Sequence, residues 1–218
     1  MRRLVIVLIT LCALWSVAVA GAVPSSDDAA MRAMEMLARV SPPVEQDAKA
    51  IVVFFDFLCP HCADHVPILL QWADTLPAGV QVRFAPFIGD DPLRVRLAHA
   101  FMVGIKILGY SGSFRLVRDL FSMAGAQHGV TDEKIYEVLR LYCKEDVLGN
   151  TYVDEGIRQS LKKVIADYGI YKIVSVPSVG LVGRYVVTPD DLPPSASGVQ
   201  DFVHLLNGFV SRMVAGDL

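Results

Sequence analysis

The spacing of apolar and polar positions predicts a strand–helix–strand unit near the beginning of the chain. Residues 50–57 form an eight-residue run dominated by Val, Ile and Phe, which is typical of a strand buried on both faces. Residues 63–76 then carry apolar side chains at helical spacing. Residues 80–87 indicate a second strand, so we expect two strands joined by a helix.

A long helical stretch separates this unit from a second strand-rich part. The predicted helices span residues 93–108, 114–124, 132–148 and, with more polar residues, 154–168. Residues 177–182 and 184–187 then predict a hairpin that turns near Gly183, and residues 199–214 a final amphipathic helix. This order of elements predicts an α/β fold, in which a small sheet carries a helical insertion.

The region before the first strand predicts one further helix. Ser25 to Asp28 are typical of a helix start, the apolar spacing continues to about Val40, and Ser41-Pro42-Pro43 ends it. The sequence therefore predicts four structural parts. The predicted division is a leading segment (1–23), an N-terminal helix and linker (24–48), a sheet domain (49–91 and 169–218) and a helical insertion (92–168).

The leading segment has the features of a targeting sequence. Arg2 and Arg3 precede an uncharged run of residues 4–23, which ends in small residues that include Ala18-Val19-Ala20. A basic start, an apolar run and such an end are typical of a secretory signal peptide, and the length of the run also permits a membrane anchor. In both cases we expect the rest of the chain to be exported.

Composition narrows the possible functions. Of the 218 residues, 53% are apolar and 20% charged, which is enough apolar material for a packed core and argues against general disorder. The chain carries 20 Lys and Arg against 23 Asp and Glu. This balance gives no strongly basic surface, so a nucleic-acid partner is not expected.

The cysteines point to redox chemistry. Cys12 lies in the leading segment, which leaves Cys59, Cys62 and Cys143, too few for a scaffold of structural disulfides. Cys59 and Cys62 form a C-x-x-C pair where the buried strand gives way to a helix. There the unpaired N–H groups and the helix dipole favour a thiolate on Cys59. His61 adds a nearby donor or positive charge, and Pro60 stiffens the turn, so Cys59 is the predicted reactive thiol and Cys62 its buried partner.

Two other interpretations of these cysteines deserve comparison. A zinc site would use Cys59, Cys62 and His65, with His61 or Cys143 as the fourth ligand, but the chain has no second C-x-x-C. An inert disulfide across so short a loop would stabilise the fold little. Cys143 falls on the apolar stripe of the helix predicted over residues 132–148, where we expect a buried, unreactive thiol.

The segment from Phe54 to Cys62, and Cys59-Pro60-His61-Cys62 in particular, resembles the active site of the DsbA family, thiol:disulfide oxidases of the bacterial envelope. Val176-Pro177, just before the hairpin, is similar to the loop that carries a cis proline beside the redox pair in the thioredoxin superfamily. The helical block between the two halves also matches in size and position. The resemblance implies a thioredoxin-like fold with an inserted helical domain.

The resemblance also implies a function and a set of site residues. Cys59, Pro60, His61 and Cys62 would be catalytic, with Cys59 and Cys62 forming the redox-active disulfide, and Val176 and Pro177 would bind substrate. No cofactor or metal is implied. The substrates would be reduced exported polypeptides in the periplasm, and a quinone-linked membrane protein of the DsbB type would reoxidise the pair.

Several features depart from the family pattern. Val53 stands where these oxidases often carry a buried Glu, Val66 stands where a second acid is usual, and the first edge strand is hard to find in the sequence. Two other functions therefore stay in consideration. One is an envelope reductase or isomerase kept reduced by a membrane electron donor; the other is a non-catalytic thioredoxin-like module that binds exported clients.

Overall fold

The structure, a computed structural model, describes residues 37–126 and 129–218. The predicted signal or anchor segment and most of the predicted N-terminal helix lie outside the described residues. In chain order the described elements are β1 (Ala38–Arg39), β2 (Ala50–Phe55), α1 (Pro60–Ala73), β3 (Gln81–Pro86), α2 (Pro92–Gly112), α3 (Phe114–Ala126), α4 (Asp132–Arg140), α5 (Glu145–Tyr152), α6 (Glu155–Ile170), β4 (Ser178–Leu181), β5 (Tyr185–Val187) and α7 (Val199–Ala215).

The strands form one five-stranded sheet in the order β1-β5-β4-β2-β3. Strand β2 pairs in parallel with β3 and antiparallel with β4, so that Val53 lies between Phe84 and Val179. Successive side chains of β2 enter different apolar clusters, with Ile51, Val53 and Phe55 on one face and Val52 and Phe54 on the other. This confirms the prediction of a strand buried on both faces.

The N-terminal edge of the sheet corrects one expectation. Ala38 and Arg39, which were expected to end a helix, pair antiparallel with Val186 and Tyr185 as the short strand β1. The two apolar residues on either side, Leu37 and Val40, are both buried. Their spacing of three is compatible with a helix as well as with a short strand, so the sequence pattern alone does not distinguish them.

Helices α2 to α6 occupy the stretch between β3 and β4, as the sequence predicts, but the predicted helix over 132–148 is two helices. Helix α4 ends at Arg140, and α5 begins at Glu145 after Lys144, whose backbone is extended (φ −66°, ψ 140°). Glu145 and Asp146 supply the negative charges that favour a new helix start. Cys143 therefore lies in the intervening turn, where its side chain is 5% exposed.

The predicted hairpin is confirmed as β4 and β5. Gly183 lies in its turn with φ of 67°, a conformation that L side chains rarely adopt. A Cβ at this position would lie 2.1 Å from the carbonyl oxygen of Val44, so the turn requires glycine on two grounds. Helix α7 then packs Phe202, Leu206 and other apolar side chains into the core.

A buried ion-pair network joins β3 to its surroundings. Arg83 donates to both carboxylate oxygens of Asp47, at 2.7 and 3.0 Å, and to Asp167 of α6 at 3.0 Å. Tyr171 donates a further hydrogen bond to Asp47, at 2.8 Å, and Lys163 contacts Asp167 at 2.9 Å. Burial raises the pKa of Asp47, but the hydrogen bonds from Arg83 and Tyr171 outweigh burial and lower it overall.

In the part of the chain that the structure describes, no helix combines the length and the apolar composition needed to cross a membrane.

Candidate active site

Cys59 lies at the start of α1, immediately after the turn that leaves β2. Its backbone is extended (φ −95°, ψ 117°), and Pro60 occupies the first position of the helix, where a missing N–H costs nothing. The Cys59 N–H donates to the carbonyl oxygen of Asp56 at 3.0 Å, which closes the turn. The sulfur of Cys59 therefore lies at the positive end of the helix dipole, as predicted.

The two sulfurs of the C-x-x-C pair have different environments. Cys59 is partly exposed, whereas Cys62 is 0% exposed, one turn further into the helix. Burial strongly raises the pKa of the Cys62 thiol, and a hydrogen bond from the backbone N–H of Asp56, at 3.5 Å from Sγ, offsets this only in part. The predicted burial of Cys62 is confirmed.

Pro60 and His61 form the exposed rim of this site, because both side chains face solvent beside Cys59. The carbonyl oxygen of His61 lies 2.8 Å from Nδ1 of His65, one turn further along α1. His65 also packs against the ring of Phe202 from α7, with 6.0 Å between ring centroids. His65, one of the residues considered for zinc, is therefore held between α1 and α7.

The structure brings Val176 to Cys59 from 117 residues away in the sequence. The carbonyl oxygen of Val176 accepts a hydrogen bond from Cys59 Sγ at 3.6 Å. The Val176–Pro177 peptide bond is cis, as the resemblance implies, and Pro177 is buried immediately before β4. The residues that the resemblance assigns to substrate binding thus lie beside the partly exposed sulfur.

A cleft of about 230 Å³ adjoins Val176. Its lining includes Phe87, Tyr168, Asp56 and the strongly exposed Val174. Tyr168 donates hydrogen bonds to the carbonyl oxygens of Phe55 and Ala85, at 2.9 and 3.1 Å. The cleft therefore offers a largely apolar surface beside Val176, whose carbonyl oxygen contacts the Cys59 sulfur.

Sequence reasoning missed an ion pair made by Asp56, one of the residues that line this cleft. Asp56, which the sequence pattern places in the first strand, stands one residue after the end of β2 and is 8% exposed. Arg94 of α2 contacts its carboxylate at 2.9 Å. The signal for this pair is the single acidic residue in an otherwise apolar run, but its partner, 38 residues away, is not apparent from the sequence.

Val53 and Val66 stand at the two positions where the family pattern has acidic residues. Both are 0% exposed and pack in the apolar core. No group of three or more His, Cys, Asp or Glu residues in the described ranges is arranged to hold a metal ion.

Comparisons with known proteins give a clear result only for the fold. No protein-family model matches the sequence, and no curated protein matches it. Among solved structures, a cysteine-to-serine variant of Proteus mirabilis DsbA with a non-covalently bound peptide PWATCDS is similar, with a TM-score of 0.66 and 16% identity over 80% of this chain and 95% of that one. Pseudomonas aeruginosa DsbA is similar with a TM-score of 0.65 and 20% identity, over 82% and 92% of the two chains.

A third structure gives the same picture. The DsbA disulfide interchange protein of Klebsiella pneumoniae is similar with a TM-score of 0.64 and 17% identity, over 79% of this chain and 94% of that one. The described residues therefore have a thioredoxin-like fold with a helical insertion. This is the fold of the DsbA disulfide oxidoreductases, and the resemblance drawn from the sequence is confirmed at the level of the fold.

Proposed function

We propose that this protein is a thiol:disulfide oxidoreductase that donates disulfides to exported polypeptides through Cys59 and Cys62. The observation that carries the proposal is the unequal environment of the two sulfurs. Cys59 Sγ is partly exposed at a helix start, 3.6 Å from the carbonyl oxygen of Val176, and Cys62 is fully buried behind it. One sulfur is thus accessible to a client and the other is protected, which suits a two-step exchange.

The reaction begins with the Cys59–Cys62 disulfide and a client thiolate. The client sulfur attacks Sγ of Cys59, so a client–Cys59 bond forms, the bond between Cys59 and Cys62 breaks, and Cys62 leaves with the electron pair. Because burial raises the pKa of Cys62, the departing sulfur takes up a proton and becomes a neutral thiol. The protonated, buried Cys62 is then a poor nucleophile for the reverse attack.

A second client thiolate completes the transfer. It attacks the client sulfur of the mixed disulfide, a disulfide forms within the client, and Cys59 leaves as a thiolate. The two electrons of the client end on the protein, which becomes the dithiol. The start of α1 stabilises the departing Cys59 thiolate through its N–H groups and dipole, and His61 is the proposed nearby source of positive charge or of a proton.

Val176 and Pro177 are the proposed client-binding residues. In the dithiol state the Val176 carbonyl oxygen accepts from Cys59 Sγ. When the sulfur is bonded to a client instead, that oxygen is free to accept a backbone N–H of the extended client chain, as in strand addition. Because such pairing uses backbone groups, it depends little on the client's sequence and suits a broad range of clients.

The cellular setting is proposed from the sequence. The leading segment of residues 1–23 supports export, either as a cleaved signal or as an anchor, and the periplasm is the compartment that the resemblance implies. A quinone-linked membrane protein of the DsbB type is the proposed oxidant that restores the disulfide. The division into a sheet domain (49–91 and 169–218) with a helical insertion (92–168) also stays a prediction.

Single-cysteine variants test the proposed roles. We expect Cys59→Ser to abolish oxidation of a reduced two-cysteine peptide. With oxidised glutathione, the Cys59 thiolate of the Cys62→Ser variant attacks the glutathione disulfide and one reduced glutathione leaves, and the resulting Cys59–glutathione disulfide should accumulate because Cys62 is missing and cannot displace the second glutathione. The matched control is Cys143→Ser. Because the Cys143 thiol is buried in the turn between α4 and α5, this substitution should leave the rate of peptide oxidation unchanged. Peptide oxidation is followed by chromatography, and the mixed disulfide by its mass.

Two outcomes would contradict this assignment. Mixed disulfides that form on Cys62 in the Cys59→Ser variant would reverse the roles of the two sulfurs. A Cys59→Ser variant that still oxidises the peptide at the wild-type rate would exclude the site and favour the non-catalytic client-binding module.

A further inference from the structure

Asp56 and Arg94 form a charged pair at the redox turn, the turn of residues 56–59 that leads from β2 to α1. The guanidinium of Arg94 contacts both carboxylate oxygens of Asp56, through Nε at 3.1 and 3.0 Å and through Nη2 at 2.9 Å. The Asp56 side chain is 11% exposed and that of Arg94 is 25% exposed. A bidentate pair of this kind is geometrically well defined and little screened by solvent.

The same residue contacts the backbone at Leu58 and Cys59 and also the sulfur of Cys62. Its Oδ1 accepts from the N–H of Leu58 at 2.9 Å, and its carbonyl oxygen accepts from the N–H of Cys59. Its own backbone N–H donates to Cys62 Sγ at 3.5 Å. Residue 56 therefore holds the turn that carries Cys59 and also touches the buried sulfur.

Three further polar side chains lie around the redox turn. Asp91, at the start of α2, lies 3.5 Å from Arg94, and the guanidinium also lies over the ring of Phe87. Tyr168 of α6 is neutral, because burial raises the pKa of its hydroxyl and both of its hydrogen bonds go to backbone carbonyls. His61 lies on the exposed side of the turn.

We propose that the Asp56–Arg94 pair sets the thiol–disulfide equilibrium of Cys59 and Cys62, with Asp56 and Arg94 acting as positioning residues of opposite electrostatic effect. The inference rests on the proposed function of the two cysteines. The negative charge of Asp56 opposes a thiolate at the turn, and Arg94 offsets this charge while fixing the carboxylate in place. Through α2, the helical insertion therefore contributes to the redox properties of the sheet.

Two variants that each remove one charge separate the effects of the two residues. Asp56→Asn keeps an oxygen for the Leu58 N–H but removes the negative charge, so the thiolate, and with it the dithiol form, is favoured. Arg94→Gln leaves the carboxylate without its cation, so the thiolate is disfavoured. We expect the equilibrium constant for oxidation by glutathione to fall about three- to tenfold in the first variant and to rise about three- to tenfold in the second, the effect of a partly screened charge several ångströms away.

The experiment measures each variant in two ways. Equilibration with defined ratios of oxidised and reduced glutathione gives the equilibrium constant, and the ultraviolet absorbance of the thiolate against pH gives the titration midpoint without any substrate. Arg94→Lys, which restores the positive charge, should return both quantities most of the way to wild type. The matched controls are Arg96→Gln and Asp132→Asn, which break a pair between α2 and α4 and should shift neither quantity.

Opposite shifts in the two variants, with recovery in Arg94→Lys, support the proposal. Shifts in the same direction, or none, overturn it, because a purely structural role would affect both variants alike. The outcome is distinct from failure of the proposed function. If the wild-type pair did not exchange with glutathione, that function would fail, while the thiolate titration would still report the effect of the ion pair.

Discussion

Replacing Arg83 by Met tests how the buried ion-pair network stabilises the fold. The change leaves Asp47 and Asp167, each 2% exposed, without their shared cation. Asp167 keeps its contact with Lys163, so most of the loss arises at Asp47, which keeps only the hydroxyl of Tyr171. Removing one partner of a buried ion pair costs about 3–5 kcal/mol, and we expect the lower part of this range for the free energy of unfolding at neutral pH.

The loss in free energy of unfolding caused by Arg83→Met should depend on pH in a defined direction. In the wild type, the pKa of Asp47 is lowered below its unfolded value, so the network contributes stability above about pH 4 and loses it as the pH falls through the folded pKa. In the variant, burial acts without the hydrogen bonds from Arg83 and raises the folded pKa above the unfolded value. The penalty in the variant is therefore largest at neutral pH and decreases as the pH falls towards 4.

Urea unfolding of the reduced proteins at pH 7 and pH 5 provides the measurement, with Arg39→Met as the control. Arg39 is an exposed arginine of β1 whose guanidinium lies over the ring of Tyr185, and its replacement should change the free energy of unfolding by less than about 1 kcal/mol. A loss of less than about 1 kcal/mol for Arg83→Met at pH 7 would refute the reasoning about magnitude. A difference from wild type that stays constant between the two pH values would refute the assignment to a buried carboxylate.

Two further predictions concern the redox state and the hairpin. The dithiol form should melt several degrees above the disulfide form, because the start of α1 stabilises the Cys59 thiolate. Each tenfold increase in the equilibrium preference for the dithiol is worth about 1.4 kcal/mol, or about 3–5 °C in melting temperature for a chain of this size. Calorimetry of both forms at neutral pH checks this, and a higher-melting disulfide form would favour a reductase. Gly183→Ala should lower the free energy of unfolding by more than about 1 kcal/mol, because of the positive φ and the approach of Val44; Gly125→Ala, with open space around it, is the control in the same urea assay.

The redox turn was predictable from the sequence because its signals are local. An apolar run, a C-x-x-C and a helical pattern follow one another within about 25 residues, so the strand end and the helix start determine where Cys59 lies. The position of Val176 was accessible only through the resemblance. Nothing in residues 59 to 62 indicates a partner 117 positions away.

The features that were missed depend on tertiary contacts. Strand β1 is two residues long and exists because β5 offers backbone groups to Ala38 and Arg39, which no local propensity reports. The break between α4 and α5 falls in a stretch whose apolar spacing continues across it. The Asp56–Arg94 pair requires α2 to begin beside the end of β2, and only the folded chain brings these two points together.

The redox state of Cys59 and Cys62 in the cell envelope tests the central claim most directly. Cells are quenched with acid, the free thiols are labelled with a maleimide reagent of high mass, and the result is compared with a sample reduced before labelling. An oxidase kept ready for its clients should gain two labels only after reduction, and Cys59→Ser should abolish this difference. A pair already labelled without prior reduction would contradict the account and indicate a reductase or isomerase.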